Sequence, residues 1–465
     1  MRPSGGRRPA VGILALAVAG LLVATVAAAP ATTDDVGGEA AAGATVAQAG
    51  VLQPAMVEML HHEGAERAPV TLAALSYDIV ERRGRKHGDG AGIDVALIDT
   101  GVAPVDGLQG TDKVIHGPDL SMETGSPVAH LDTYGHGTHL AGIIAGTRSG
   151  HEGIAPGARI VSVKVAGHDG LTTVPQVVAA VDWVIENRNR DGLNIRVLNL
   201  SLGQAEVDSH VGDHLSAAVE RAWDAGIFVV VAAGNRGAEP GHLDSPAIDP
   251  YVLSVAAVDS TYYTEWEELQ PATQWSSRGN DGRLPDLAAP GQSILSYRVP
   301  GSTIDERAPR ARDGDLFRGS GTSQSAAAIS GLAARLLEYR PDMTPDQLKA
   351  TMRRSTMTMV ERVGGPEVGQ GVINATRAYR KPLYTAPTQD HVRATSGHGG
   401  ISLPAGNTWS GGTWSGGTWS GGTWSGATWS GATWSGATWS GGTWSGATWS
   451  GATWSGATWS NGSWS

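Results

Sequence analysis

The chain of 465 residues contains no cysteine. That absence excludes disulfides, thiolate nucleophiles and Cys-ligated zinc together. It does not fix a compartment, but an exported chain of this kind must draw its stability from its core, with bound cations as the other recourse. A basic surplus is missing too: 34 Lys and Arg stand against 45 Asp and Glu, a net charge of -11. No broad positive surface is left to attract nucleic acid, which is not an expected partner. Beyond the N-terminal region no stretch is apolar enough to span a bilayer. Single cores stop growing at roughly 250 to 300 residues, so one large domain with appendages is the expected plan.

The N-terminus supplies the compartment. Arg2, Arg7 and Arg8 precede an apolar run over residues 11–29, and small residues follow. That order predicts a secretory signal over residues 1–31, cleaved near Ala28, Ala29 or Ala31, with an uncleaved membrane anchor as the alternative. The expected location is therefore secreted, extracellular or attached to the cell surface. Residues 32–88 are rich in Ala and Gly, with one apolar helical patch at 51–60 and no strong strand signal.

Regular structure is expected over residues 89–380. Residues 93–99 form a β-rich apolar run that ends at Asp99-Thr100-Gly101, as in a strand buried on both faces. Strand patterns at 159–165, 196–201, 227–233 and 251–258 then alternate with helical patterns at 174–187 and 214–225. Such alternation predicts an α/β fold, a mainly parallel β-sheet with helices on both faces. Ligands of such sheets bind at the carboxyl ends of strands, where Asp99, Ser201 and Asn235 all fall. Further on, Thr344, Pro345 and Gln347 form a capping box, which predicts a last helix to about residue 354.

Three short signatures stand in the order Asp, His, Ser: Asp99-Thr100-Gly101, His136-Gly137-Thr138-His139 and Gly321-Thr322-Ser323. Alone, each has an ordinary structural reading, since Asp-Thr-Gly also closes plain strands and Gly-Thr-Ser also lets helices pack. Together, and with Val163-Lys164-Val165, Asn199-Leu200-Ser201-Leu202-Gly203 and Ala232-Ala233-Gly234-Asn235 in sequence between them, they resemble the subtilases over roughly residues 93–379. The resemblance implies a secreted serine endopeptidase with a catalytic triad of Asp99, His136 and Ser323. A serine hydroxyl needs a base, His136; the imidazole needs a buried carboxylate on its far nitrogen, Asp99. The developing oxyanion needs donors, for which the N–H of Ser323 and the side-chain amide of Asn235 are candidates. No cofactor is needed for this chemistry, and the resemblance leaves room for structural calcium. His136 and His139 lack the glutamate of an HExxH metal motif, so no metal site is expected and His139 reads as a packed histidine.

By the same resemblance Ser201, Leu202 and Gly203 are the strand edge that pairs with an extended peptide substrate, and Ala233 and Gly234 form the opposite wall of its main side-chain pocket. Asp244 is a candidate for the pocket floor, but a solvent-facing loop acid is the favoured reading. One departure stands out: the serine is followed by Gln324-Ser325-Ala326-Ala327, where subtilases usually continue Met-Ala-x-Pro. The missing proline bears on helix geometry more than on the nucleophile. For residues 32–88 two readings stay open, a pro-segment as in proteases made as precursors, or a linker or irregular extension of the core.

Residues 381–406 read as a linker. The tail, 407–465, repeats Thr-Trp-Ser-Gly-Gly or Thr-Trp-Ser-Gly-Ala, with Trp at every fifth position from Trp409 to Trp464. A period of five suits neither a helix nor a flat strand, so the tail is expected either disordered or wound into a turn-rich solenoid. Evenly spaced indoles suit binding to the cell envelope or self-association. The competing functional reading follows from this tail: a secreted surface-binding or structural protein in which an inactive subtilase-like domain merely carries the repeats.

Overall fold

A computed structural model describes residues 51–54, 69–76, 88–205, 207–237, 243–259, 273–280, 282–357, 369–380 and 389–394, together with short strands in the region 402–464. The expected signal sequence lies outside the described residues. Among those described, no helix is long and apolar enough to cross a membrane.

Near-continuous Val, Ile, Leu and Ala build strands with both faces covered. Asp94–Asp99, Phe228–Ala232 and Leu253–Val258 are buried along their whole length. They belong to a nine-stranded sheet whose order is Thr356–Met357, Val372–Ile373, Leu287–Pro290, Leu253–Val258, Phe228–Ala232, Ile195–Leu200, Asp94–Asp99, Arg159–Lys164 and Val114–Asp119. Neighbouring strands run parallel except for the pair Thr356–Met357 and Val372–Ile373. After Asp94–Asp99 the chain places Arg159–Lys164 on one side of it and Ile195–Leu200 on the other. The order reverses there, so a crevice opens beyond Asp99.

Two pairs of helices cover the sheet. Thr322–Tyr339 packs on His136–Ala145 and lies across Ile195–Leu200, Phe228–Ala232 and Leu253–Val258. Val174–Asn187 packs on His214–Asp224, against Asp94–Asp99 and Phe228–Ala232. Local chemistry sets where they start. The Thr344 hydroxyl accepts from Gln347 N at 3.3 Å while Gln347 Oε1 accepts from Thr344 N at 3.0 Å, the reciprocal cap expected for Pro345–Arg353. Thr173 and Gln176 cap Val174–Asn187 in the same way.

The N-terminal region departs from expectation. Its patch at 51–60 was expected to be helical, yet Val51–Pro54 is a strand, antiparallel both to Thr172–Thr173 and to Leu202–Gly203. The partners that make it a strand lie more than a hundred residues away, so local periodicity carries no sign of them. Val70–Thr71 is a second short strand beside Ile294–Tyr297, followed by the helix Leu72–Ser76, whose Leu72 and Leu75 are fully buried. Val70, Leu72 and Leu75 thus belong to the core. At the other end, within the stretch read as a linker, Arg393 lies 3.9 Å over the Tyr251 ring and pairs with Asp224 at 2.9 Å.

In the repeats the backbone forms three-residue Thr-Trp-Ser strands, each parallel and in register with the strand four repeats on: Trp409 opposite Trp429, Trp414 opposite Trp434. Residues four repeats apart stack while neighbouring repeats fall in different sheets, which is how a five-residue period fits strand geometry.

Candidate active site

Asp99 is the last residue of the central strand, and His136 is the first residue of the helix His136–Ala145. Their side chains meet in the interior: His136 Nδ1 is 2.8 Å from Asp99 Oδ1 and 3.0 Å from Oδ2. Thr100 N donates to Asp99 Oδ1 at 2.8 Å. The approach of helix to strand demands a glycine at 137, because a Cβ there would stand 2.2 Å from Gly101 O. His136 Nε2, the nitrogen turned away from Asp99, is buried and has no hydrogen-bond partner among the described residues. An imidazole held on one nitrogen and open on the other is arranged to take a proton.

Asp132, which carried no signal in the sequence reading, locks this corner. Its Oδ1 accepts from Thr100 Oγ1 at 2.8 Å and Gly135 N at 2.6 Å, and its Oδ2 from Thr138 N at 2.7 Å. Burial pushes its carboxyl up from the usual range, against these hydrogen bonds. Lys164, fully buried, donates to Thr100 O at 2.8 Å and Leu131 O at 2.7 Å and pairs with Glu123 at 3.0 Å. The turn after Asp99 is therefore fixed from both sides.

Ser323 is the second residue of the helix Thr322–Tyr339, so its N–H belongs to the helix N-terminus. Its Oγ donates to Ser201 O at 3.3 Å, which ties the serine to the strand edge 201–203. Asn199 anchors that edge beneath: its Nδ2 donates to Ser330 Oγ, and its Oδ1 accepts from Ser201 Oγ, both at 2.9 Å. Asn235 Oδ1 accepts from Thr322 N at 3.0 Å and Thr322 Oγ1 at 3.1 Å. Its carbonyl oxygen thus ties the Asn235 amide to the residue before Ser323.

The strand Val51–Pro54 lies where an extended peptide is expected, with Gln53 opposite Gly203 and Pro54 opposite Leu202, and with Leu52 fully buried. The opposite wall carries Gly234, whose φ of 105° favours glycine. Asp244 is not the solvent-facing acid that was favoured. Its side chain is only 14 % exposed and stands between the two walls, close to Gly203 and Gly234 and paired with Arg236. The loop folds inward because Asp244 N donates to Ala233 O and Ser245 exchanges backbone hydrogen bonds with Gln204.

His139 is fully buried, its ring edge-on to Phe317, and neither nitrogen has a hydrogen-bond partner among the described residues. Burial first, then the neighbouring His136, hold it down to about 3, so it stays neutral. Gln324, the first of the residues that depart from the usual serine motif, lies beside it with both amide atoms unpartnered among the described residues. Among the described residues no group of three or more His, Asp or Glu side chains is placed to hold a metal ion.

A family model described as the subtilase family matches residues 90–399. The chain is 35 % identical over 298 residues to a protein of Bacillus subtilis (strain 168) named serine protease AprX, covering 62 % of this chain and 66 % of that one. It is 33 % identical over 276 residues to an extracellular serine proteinase of Thermus sp. (strain Rt41A), covering 59 % and 58 %. It thus spans less than two thirds of the length of either relative. In fold it resembles the crystal structure of fervidolysin from Fervidobacterium pennivorans, with a TM-score of 0.55 at 23 % identity over 72 % of this chain and 52 % of that one.

Proposed function

The chain belongs to the subtilase family, and on that premise we propose that it is a secreted serine endopeptidase that hydrolyses peptide bonds in proteins through an acyl-enzyme. The observation that carries the reading is the buried His136 to Asp99 pair, whose helix packs against the helix that carries Ser323 at its N-terminus. Ser323 Oγ attacks the scissile carbonyl carbon as its proton passes to His136 Nε2, and Asp99 stabilises the imidazolium. The oxyanion is met by Ser323 N–H and the Asn235 amide. When it collapses the C–N bond breaks, the amine leaves with the proton from His136, and water repeats the sequence on the ester. No cofactor enters these steps.

The peptide binds as an added strand on Ser201, Leu202 and Gly203, a mode that reads main chain and tolerates varied sequence. Val51–Pro54 supports this by occupying that edge in antiparallel register, and it favours the pro-segment reading, in which the N-terminal region closes the cleft until it is cut away. The apolar run at 11–29 and the extracellular relative support export.

The direct test is labelling by a fluorophosphonate probe of protein made without residues 1–31, wild type against Ser323→Ala and His136→Ala. Labelling that disappears in both variants is expected; an unlabelled wild type, even after removal of the N-terminal region, would favour the inactive carrier. The repeats carry a second role, attachment to the cell envelope or to one another, supported by the regular Trp spacing. Truncation after Pro404 should abolish binding to envelopes; binding at full strength would refute that role.

A further inference from the structure

The register of Val51–Pro54 fixes where the decisive side chain of a bound peptide points. Gln53 stands opposite Gly203 and Pro54 opposite Leu202. A peptide continuing that register sets its next residue opposite Ser201, whose carbonyl oxygen lies 3.3 Å from Ser323 Oγ. That residue, P1, presents the carbonyl to be attacked. Opposed residues of a β-pair project to the same face, and faces alternate along a strand. The side chain two residues past the one facing Gly203 therefore points where Gly203 would point if it had one.

Asp244 stands in that direction. A Cβ on Gly203 would meet Asp244 Cβ at 2.8 Å, and a Cβ on Gly234, on the other wall, would meet Asp244 Oδ2 at 2.5 Å. The loop holds it there: Asp244 N donates to Ala233 O at 3.4 Å, and Ser245 and Gln204 exchange backbone hydrogen bonds of 2.9 Å. Its Oδ1 receives no hydrogen bond of good geometry but touches Arg236 Nη2 at 2.5 Å. Arg236 is the more exposed partner, 37 % against 14 %, and follows Asn235 on the surface of the loop. Between the two walls the carboxylate thus has, among the described residues, one cationic partner, the more exposed Arg236.

Resting on the peptidase reading, we infer that Asp244 is the specificity-determining floor of the P1 pocket and selects arginine or lysine, whose cationic end takes the place of Arg236 on the carboxylate. A neutral P1 side chain leaves the Arg236 pair in place and gains no charge partner; an acidic one faces a partly buried carboxylate of its own sign.

The test uses processed wild-type enzyme and peptides that differ only at P1: Arg, Lys, Leu, Phe and Glu. Arg and Lys should exceed Leu in kcat/KM by roughly 10- to 100-fold, the scale of one hydrogen bond to a charged group. Asp244→Asn should bring that ratio down toward one, and Arg236→Ala, which frees the carboxylate, should raise it. Fluorophosphonate labelling of Ser323 in both variants shows that the site is still assembled. A wild type that prefers Leu or Phe, or a ratio unmoved by Asp244→Asn, overturns the inference alone. Failure to cleave any of the peptides, with no labelling, overturns the peptidase reading beneath it.

Discussion

His136 Nδ1 sits 2.8 Å from Asp99 Oδ1, with the imidazole fully buried and the carboxylate 2 % exposed. A neutral imidazole there donates through Nδ1 and leaves Nε2 as the acceptor that a serine proton needs. Asp99→Asn keeps the shape but offers Nδ1 an amide in place of the carboxylate, which permits the wrong tautomer. We expect kcat to fall by about 10⁴-fold while KM and the denaturant midpoint change little. A loss of less than tenfold at neutral pH would show that the pair does not orient the base.

On the proposed mechanism Asn235 acts only once charge develops, which leads to a different prediction. Its Oδ1 is held by Thr322 N and Oγ1, so the amide plane is fixed before substrate arrives. Asn235→Ala should lower kcat by roughly 10²- to 10³-fold with KM nearly unchanged, the size seen when such a donor is removed from a subtilisin. An effect confined to KM would mean that the side chain binds substrate in its ground state instead.

The N-terminal strand should compete with substrate. Leu52 is fully buried beside the cleft edges, and burying a leucine is worth about 1.5 to 3 kcal/mol. In the Ser323→Ala background, which cannot cut its own chain, Leu52→Asp should loosen the segment and raise the affinity for a labelled peptide by tenfold or more. The readout is fluorescence anisotropy with the full chain. Equal affinity in the two proteins would indicate that Val51–Pro54 does not close the cleft.

What could be read ahead of the structure follows the range of the contacts involved. Asp99, His136, Ser323 and Asn235 sit at strand ends and helix starts, each marked by glycines within two residues, so the sequence around each carries its signature. The parallel sheet was legible for the same reason: strands such as Phe228–Ala232 are continuous apolar runs. Asp132 was not legible, and Asp244, though a candidate for the pocket floor, reads in sequence as a solvent-facing acid, since the contact of Asp132 with Thr100 and the approach of Asp244 to Gly203 join segments far apart in the chain. Val51–Pro54 reads as helix in sequence because its strand partners among the described residues, 172–173 and 202–203, are tertiary neighbours. The capping box at Thr344, closed within four residues, needed no such help.

Stability at acid pH should depend on Asp286. Its side chain, 1 % exposed, receives Arg283 Nη2 at 2.9 Å and Ser254 N at 3.0 Å, and lies 3.4 Å from Arg353 and 3.6 Å from Lys349. Burial alone would raise its pKa, but the charges of Arg283 and Lys349 outweigh it and hold the carboxyl at about 2. The folded state therefore binds this proton more weakly than the unfolded chain, where an aspartate titrates near ~3.9. The resulting stability is fully present above that unfolded pKa and is lost as pH falls from about 4 through 2; its size is about 2 to 3 kcal/mol. Asp286→Asn removes the carboxylate and leaves the buried Lys349 without it, which at neutral pH should lower stability by roughly 3 to 5 kcal/mol. Urea midpoints of the two proteins, both carrying Ser323→Ala to prevent self-digestion, should then converge as pH drops from 5 toward 2. A gap that stays constant over that range would mean that Asp286 is not an ionised partner of Arg283 and Lys349 in the folded state.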